Sequence, residues 1–112
     1  MPEHITMNDL AKSHEKEILE AMTQVLDPDI GLDIINLGLV YEIHLDAAKH
    51  LDIVMTFTSK GCTCVVSVPQ EIKDTLNQLD FIDSVSVETI WEPAWSPLRI
   101  TRVGRITLGI RV

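Results

Sequence analysis

Apolar and polar positions alternate along this chain in five separate stretches, with two different periods. Between residues 13 and 26, Ile18, Met22, Val25 and Leu26 recur at helical spacing, while Glu15, Lys16, Glu17 and Glu20 lie largely off that stripe. A first helix capped by Ser13 is predicted there. Asp27-Pro28 ends it, because the residue before a proline avoids the α region. The period then shortens to two. Leu39, Tyr41, Ile43 and Leu45 alternate with Val40, Glu42, His44 and Asp46, and Leu51, Ile53, Met55 and Phe57 alternate with Asp52, Val54, Thr56 and Thr58. Two strands, 39–46 and 51–58, follow from this. The short link Ala47-Ala48-Lys49-His50 makes them an antiparallel hairpin. Val65, Val68, Ile72, Leu76 and Leu79 return to helical spacing. This second helix starts either at a capping box of Ser67 and Gln70, with Pro69 in the first turn, or nearer Cys64, where Pro69 must distort it. A third strand is predicted over about 84–91. The order α-β-β-α-β predicts an α+β fold: a small three-stranded mixed sheet with helices packed on one face and an extended C-terminal tail.

The 112 residues suit one domain with one core. Residues 1–12 read as a polar, partly frayed N-terminal segment and 13–112 as the domain. Residues 27–38 read as an irregular loop too apolar to be a solvated linker, so Ile30, Leu32, Ile34, Ile35 and Leu37 are expected to pack down. The net charge of −8 is unevenly spread: residues 1–98 hold 5 Lys/Arg against 17 Asp/Glu, whereas 99–112 hold Arg99, Arg102, Arg105 and Arg111 with no acid. An acidic body argues against nucleic acid as the main partner, because phosphate contacts need clustered cations. The basic tail reads either as a strand or helix packed on that body or as a partner contact. No apolar run approaches the roughly 18 residues of a membrane span, and Met1-Pro2-Glu3-His4 does not open a secretory leader. A cytoplasmic protein is expected. There the two cysteines, Cys62 and Cys64, persist as thiols, and with one residue between them a mutual disulfide would be strained.

Thr58-Ser59-Lys60-Gly61-Cys62-Thr63-Cys64 spans the junction of the second strand and the second helix. Free N–H groups and the positive end of the helix dipole stabilise a thiolate at such a junction. Gly61 permits the turn, and Lys60 adds a cation. Thiolates select soft metal sites, including iron–sulfur clusters. Cys62 and Cys64 are therefore the candidate metal ligands, although a free cysteine is often only a small buried apolar group. Two thiolates fall short of the usual four ligands. The remainder would come from a homodimer, a partner, or Asp and His elsewhere in the chain. Asp27, Asp29 and Asp33 are candidate hard ligands or acid–base groups, and each is more simply read as a turn cap. His4, His14, His44 and His50 form no ligand spacing, and His44 and His50 are most simply solvated beside the hairpin. Trp91-Glu92-Pro93-Ala94-Trp95-Ser96-Pro97 holds two of the five aromatics. Its indoles cover the Cys62 corner or present a docking surface, Trp95 being the docking candidate.

The blocks Asp27-Pro28-Asp29-Ile30-Gly31, Asn36-Leu37-Gly38-Leu39-Val40-Tyr41, Thr58-Ser59-Lys60-Gly61-Cys62, Trp91-Glu92-Pro93-Ala94-Trp95 and Leu108-Gly109-Ile110 follow in the order and spacing of the SufT/PaaD-like metal–sulfur cluster biosynthesis family. The chain resembles that family over about residues 14–110. The resemblance implies a compact α+β fold related to iron–sulfur assembly modules and an auxiliary role in maturing iron–sulfur proteins. It puts the reactive cysteine on Cys62, the acidic loop on Asp27 and Asp29, and the threonine preceding the Gly-Cys pair on Thr58, with Asn36 and Gly61 in supporting positions. The family commonly has proline directly after the cysteine; here Thr63 and then Cys64 follow.

Three functions are weighed. The first is a maturation factor that holds iron or an iron–sulfur cluster transiently through Cys62, with Cys64, and works with the assembly machinery or client apo-proteins. The second is a non-catalytic adaptor whose Trp95 and arginine tail dock onto a client or a multicomponent oxygenase. The third, a thiol-dependent transferase, is set aside because no histidine is placed as its base.

Overall fold

The alternation in the hairpin gives the sheet two unlike faces. The structure is a computed structural model and describes residues 5–28, 30–58 and 64–109, the side chain of Cys64 excepted. Along the chain run β1 (Thr6–Met7), α1 (Asp9–Ser13), α2 (Glu15–Met22), α3 (Ile34–Leu37), β2 (Val40–Leu45), β3 (His50–Met55), α4 (Cys64–Leu76), β4 (Ser84–Thr89), a 3-10 turn (Pro97–Arg99) and α5 (Arg102–Leu108). Tyr41, Ile43, Leu45, Leu51, Ile53 and Met55 are buried. They join the core with Ile18, Met22 and Val25, and with Val68, Ile72 and Leu76 of α4. Glu42, His44, Asp52 and Val54 take the other, more open face. Each fully buried aliphatic side chain contributes about 1.5–3 kcal/mol.

The sheet has four strands in the order β1-β2-β3-β4, not the three expected. The hairpin is antiparallel as read, with Ile43 opposite Ile53 and Leu45 opposite Leu51. β4 pairs parallel with β3, because α4 carries the chain back over the sheet between them. The additional strand comes from the segment expected to fray. Thr6 and Met7 pair parallel with Glu42 and Ile43. Asn8 then caps α1, its Oδ1 accepting from Ala11 N (3.1 Å) and Leu45 N (3.0 Å) while its Nδ2 donates to Leu45 O (2.8 Å). A two-residue strand leaves no periodic signal, and Asn8 finds its partner 37 positions away.

The helix expected over 13–26 is realised as α2 alone, with α1 lying ahead of it in the segment expected to fray; Ser13 ends α1, its hydroxyl donating to Leu10 O (2.6 Å), and does not cap α2. His14 breaks the run at φ −117° and stacks on Phe81 with ring centroids 3.9 Å apart. α2 stops at Met22; Val25 is buried, whereas Leu26 is 49% exposed and bridges to Asp33. α4 begins at Cys64, so the Ser67–Gln70 capping box does not form and Pro69 lies inside the helix. Its missing N–H removes the bond to the Val65 carbonyl.

The tail corrects the expectation of an extended segment. Thr101 caps α5 by accepting from Gly104 N (3.1 Å), and Gly109 closes it at φ 75°. Gly104 lets α5 approach α3, since a Cβ there would stand 3.0 Å from Asn36 O. Val103, Ile106 and Thr107 are poor helix formers, which hid this helix from a propensity reading.

Candidate functional site

The strand–helix junction that carries the cysteines opens at the end of β3. Gly61 and Cys62 lie outside the described residues, as does Asp29. Cys64 supplies the first backbone position of the 13-residue α4, so Cys62 falls two positions before the helix.

Asp27 is fully buried. Its backbone N–H donates to Leu32 O (3.0 Å), its carbonyl accepts from Gly31 N (2.7 Å), and its Oδ1 accepts from Ile30 N (3.2 Å). This is the local capping geometry an aspartate makes in a tight turn, with Gly31 at φ 79° completing it. Asp33 caps α3 through Asn36 N (2.9 Å). Asn36 joins two segments: its Nδ2 donates to Asp33 Oδ1 (2.8 Å), its Oδ1 accepts from Thr101 Oγ1 (2.7 Å), and its carbonyl accepts from Thr101 N (2.8 Å).

Thr58 and Trp95 meet at one cavity. It has a volume of about 280 Å³ and is lined by Thr56, Phe57, Thr58, Trp91, Glu92, Ala94 and Trp95. Trp95 Nε1 donates to Leu37 O (2.8 Å), which fixes the indole. Trp91 lies 6.3 Å from Phe57 between ring centroids. Tyr41 anchors the same arm by donating to Pro93 O (2.6 Å). The Arg99 guanidinium stacks 4.1 Å over the Tyr41 ring and Arg99 Nε donates to Gly38 O (2.8 Å). Burial raises the Tyr41 pKa; the Arg99 cation opposes this and the Glu92 carboxylate adds to it. Burial lowers that of Arg99.

Thr56 and Glu92 were missed in the sequence. Alternation put Thr56 on the polar face, but the chain leaves the sheet after Met55, and Thr56 is 1% exposed. Its hydroxyl is buried without a hydrogen-bond partner among the described residues. Nothing local marks Glu92; it reaches the cavity because β4 runs parallel to β3, which brings their C-terminal ends together.

His44 and His50 are not simply solvated. On the open sheet face His44 pairs with Glu42 (2.9 Å). His50 meets Ser84 Oγ (2.6 Å), Asp52 Oδ1 (2.9 Å) and Ser86 Oγ (3.1 Å), and Ser86 donates to Asp52. Among the described residues no cluster of three or more His, Cys, Asp or Glu is arranged to hold a metal ion, and no helix is long and apolar enough to cross a membrane.

Comparison with known proteins adds to this geometry. The chain is 37% identical over 97 residues to the Fe-S protein maturation auxiliary factor YitW of Bacillus subtilis, covering 87% of this chain and 95% of that one. It is 35% identical over 86 residues to the Fe-S protein maturation auxiliary factor SufT of Staphylococcus aureus, covering 77% and 98%. Its fold matches the crystal structure of a domain of unknown function, DUF59, from Bacillus anthracis, with TM-score 0.84, 34% identity, and coverage of 93% and 100%. The profile of the family described as "Iron-sulfur cluster assembly protein" matches residues 15–89. This chain, with its β3–α4 cysteine junction, therefore belongs to the iron–sulfur cluster assembly protein family.

Proposed function

We propose that the protein is an auxiliary factor of iron–sulfur protein maturation in the cytoplasm and that it acts through the thiolate of Cys62. The cluster, or iron, is its cargo and not a resident cofactor. The observation that carries this reading is the junction itself: β3 ends at Met55 and a 13-residue helix starts at Cys64. Near the N-terminus of a helix of that length, unpaired backbone N–H groups and the positive dipole end favour a thiolate over a thiol. Two relatives named as maturation auxiliary factors, at 37% and 35% identity, support it. A chain that offers Cys62 and Cys64 leaves a four-ligand sphere incomplete. Incoming thiolates of a client apo-protein or of the assembly machinery can then replace the carrier's ligands one at a time.

The test is anaerobic reconstitution with iron and sulfide, comparing wild type, Cys62→Ser and Cys64→Ser by visible spectrum and iron per chain. The activity of iron–sulfur enzymes is measured in cells carrying each variant. The expected outcome is that Cys62→Ser abolishes the cells' maturation function, whatever the stability of the cargo in vitro. Full client activity with Cys62→Ser would refute the reading.

A second reading draws on the indole-lined cavity. Here the protein is an adaptor that docks through Trp95 onto a client or a multicomponent oxygenase complex, as PaaD-like proteins would, and the cysteines only pack. It wins if Trp95→Ala abolishes function and Cys62→Ser does not.

A further inference from the structure

The cavity between Thr56 and Trp95 contains a polar group that the fold itself does not use. Thr56 is 1% exposed and its hydroxyl has no hydrogen-bond partner among the described residues. A buried hydroxyl left in this state destabilises the protein, and native structures hold few of them. Valine would fill the same volume without the penalty. The walls point to a ligand. Trp91, Trp95 and Phe57 present aromatic surface, and the Trp95 N–H is already committed to Leu37 O, so what remains of that indole for a ligand is its ring surface. Tryptophan is the best aromatic partner for a cation. Glu92 at the rim is exposed, and among the described residues no Lys, Arg or His pairs with it. Among the described residues the polar side-chain groups of the lining are a carboxylate and two hydroxyls, Thr56 and Thr58, whose oxygens can all accept. At about 280 Å³ the space lies just below the range of small-molecule pockets and suits one side chain.

We propose that this cavity receives the guanidinium head of an arginine side chain presented by a partner protein. Guanidinium is planar, stacks on indoles, donates through a fixed fork that matches a carboxylate, and accepts nothing. Its N–H groups pair with Glu92 and with the Thr56 oxygen while its plane lies against the Trp95 indole. The acidic body, net −12 over residues 1–98 from 5 basic and 17 acidic side chains, favours encounter with a basic partner. The assignment of the partner as client or assembly protein rests on the function proposed above; the binding of the side chain does not.

Both tryptophans of the chain line the cavity, so intrinsic fluorescence reports on it directly. The full-length protein is titrated with N-acetyl-arginine amide, its lysine counterpart, and the neutral isostere N-acetyl-citrulline amide. Saturable change is expected with the arginine probe, weaker with lysine, and none with citrulline. Glu92→Gln weakens arginine binding about tenfold. Thr56→Val weakens it severalfold and raises the melting temperature, a combination that a purely structural threonine does not give. An absent or non-saturating arginine response, an equal response to citrulline, or an unchanged affinity in Glu92→Gln overturns the proposal. If arginine fails to bind while Cys62→Ser still abolishes client maturation, the cavity assignment falls and the proposed function stands. Arginine binding with a harmless Cys62→Ser gives the reverse.

Discussion

Gly38 shows how tightly single positions are bound to the fold around the site. It closes α3 at φ 78°, and a Cβ added there would lie 2.3 Å from Arg99 O. The left-handed backbone strains any L side chain, and the clash is with backbone, which cannot swing aside. Gly38→Ala is expected to destabilise the protein by about 3 kcal/mol or more in urea unfolding. Gly31, with φ 79° and open space around its Cβ position, should lose only on the order of 1 kcal/mol. At this scale the sequence was legible where a residue's partners are local. The capping role weighed for Asp27 and Asp33 is realised with atoms three residues away. Asn36 was legible only as part of a family block, because its second partner, Thr101, is 65 positions distant.

The strands of the hairpin were readable from alternation alone because one face is apolar and the other polar, so register and facing are fixed together. Elements too short or too β-branched to show a period, β1 and α5, were not. Alternation also could not say what the polar face does within itself. Asp52 has its pKa lowered, first by the Ser86 hydrogen bond, against a smaller opposing effect of burial, and then by His50. A depressed carboxylate pKa contributes stability that is present above the unfolded value of about 3.9 and is lost as pH falls through the folded value. Ser86→Ala is therefore expected to move the Asp52 midpoint up toward the ordinary range, read by carbon NMR of its carboxyl group. It should also shift acid unfolding to higher pH. An unmoved midpoint would mean that the strand pairing, and not the hydroxyl, sets it.

Over the whole molecule, the family match spans residues 15–89, yet the cavity at the end of β3 is built about half from outside that span. Thr56, Phe57 and Thr58 come from the end of β3, whereas Trp91, Glu92 and Trp95 come from the arm after β4. That arm is held by Leu37, Tyr41 and, through Thr101, Asn36. The Asn36–Tyr41 block, Thr58 and the Trp91–Trp95 block, recognised separately in the sequence, thus meet in space. What was not legible was the closure of this arm by α5, which depends on Gly104 seating against α3.

Pro69 has a dynamic consequence. Within α4 the Val68 amide can reach the Cys64 carbonyl, but the next rung is absent because Pro69 has no N–H. The turn bearing Cys64 is thus coupled to the rest of the helix by one bond fewer than an uninterrupted helix would provide. In native-state amide exchange, Val68 is expected to exchange by local opening roughly a hundredfold faster than Ile72, and Pro69→Ala should close most of that gap. A helix whose first turn opens on its own can yield at its N-terminal end while Ile72 and Leu76 keep the core shut.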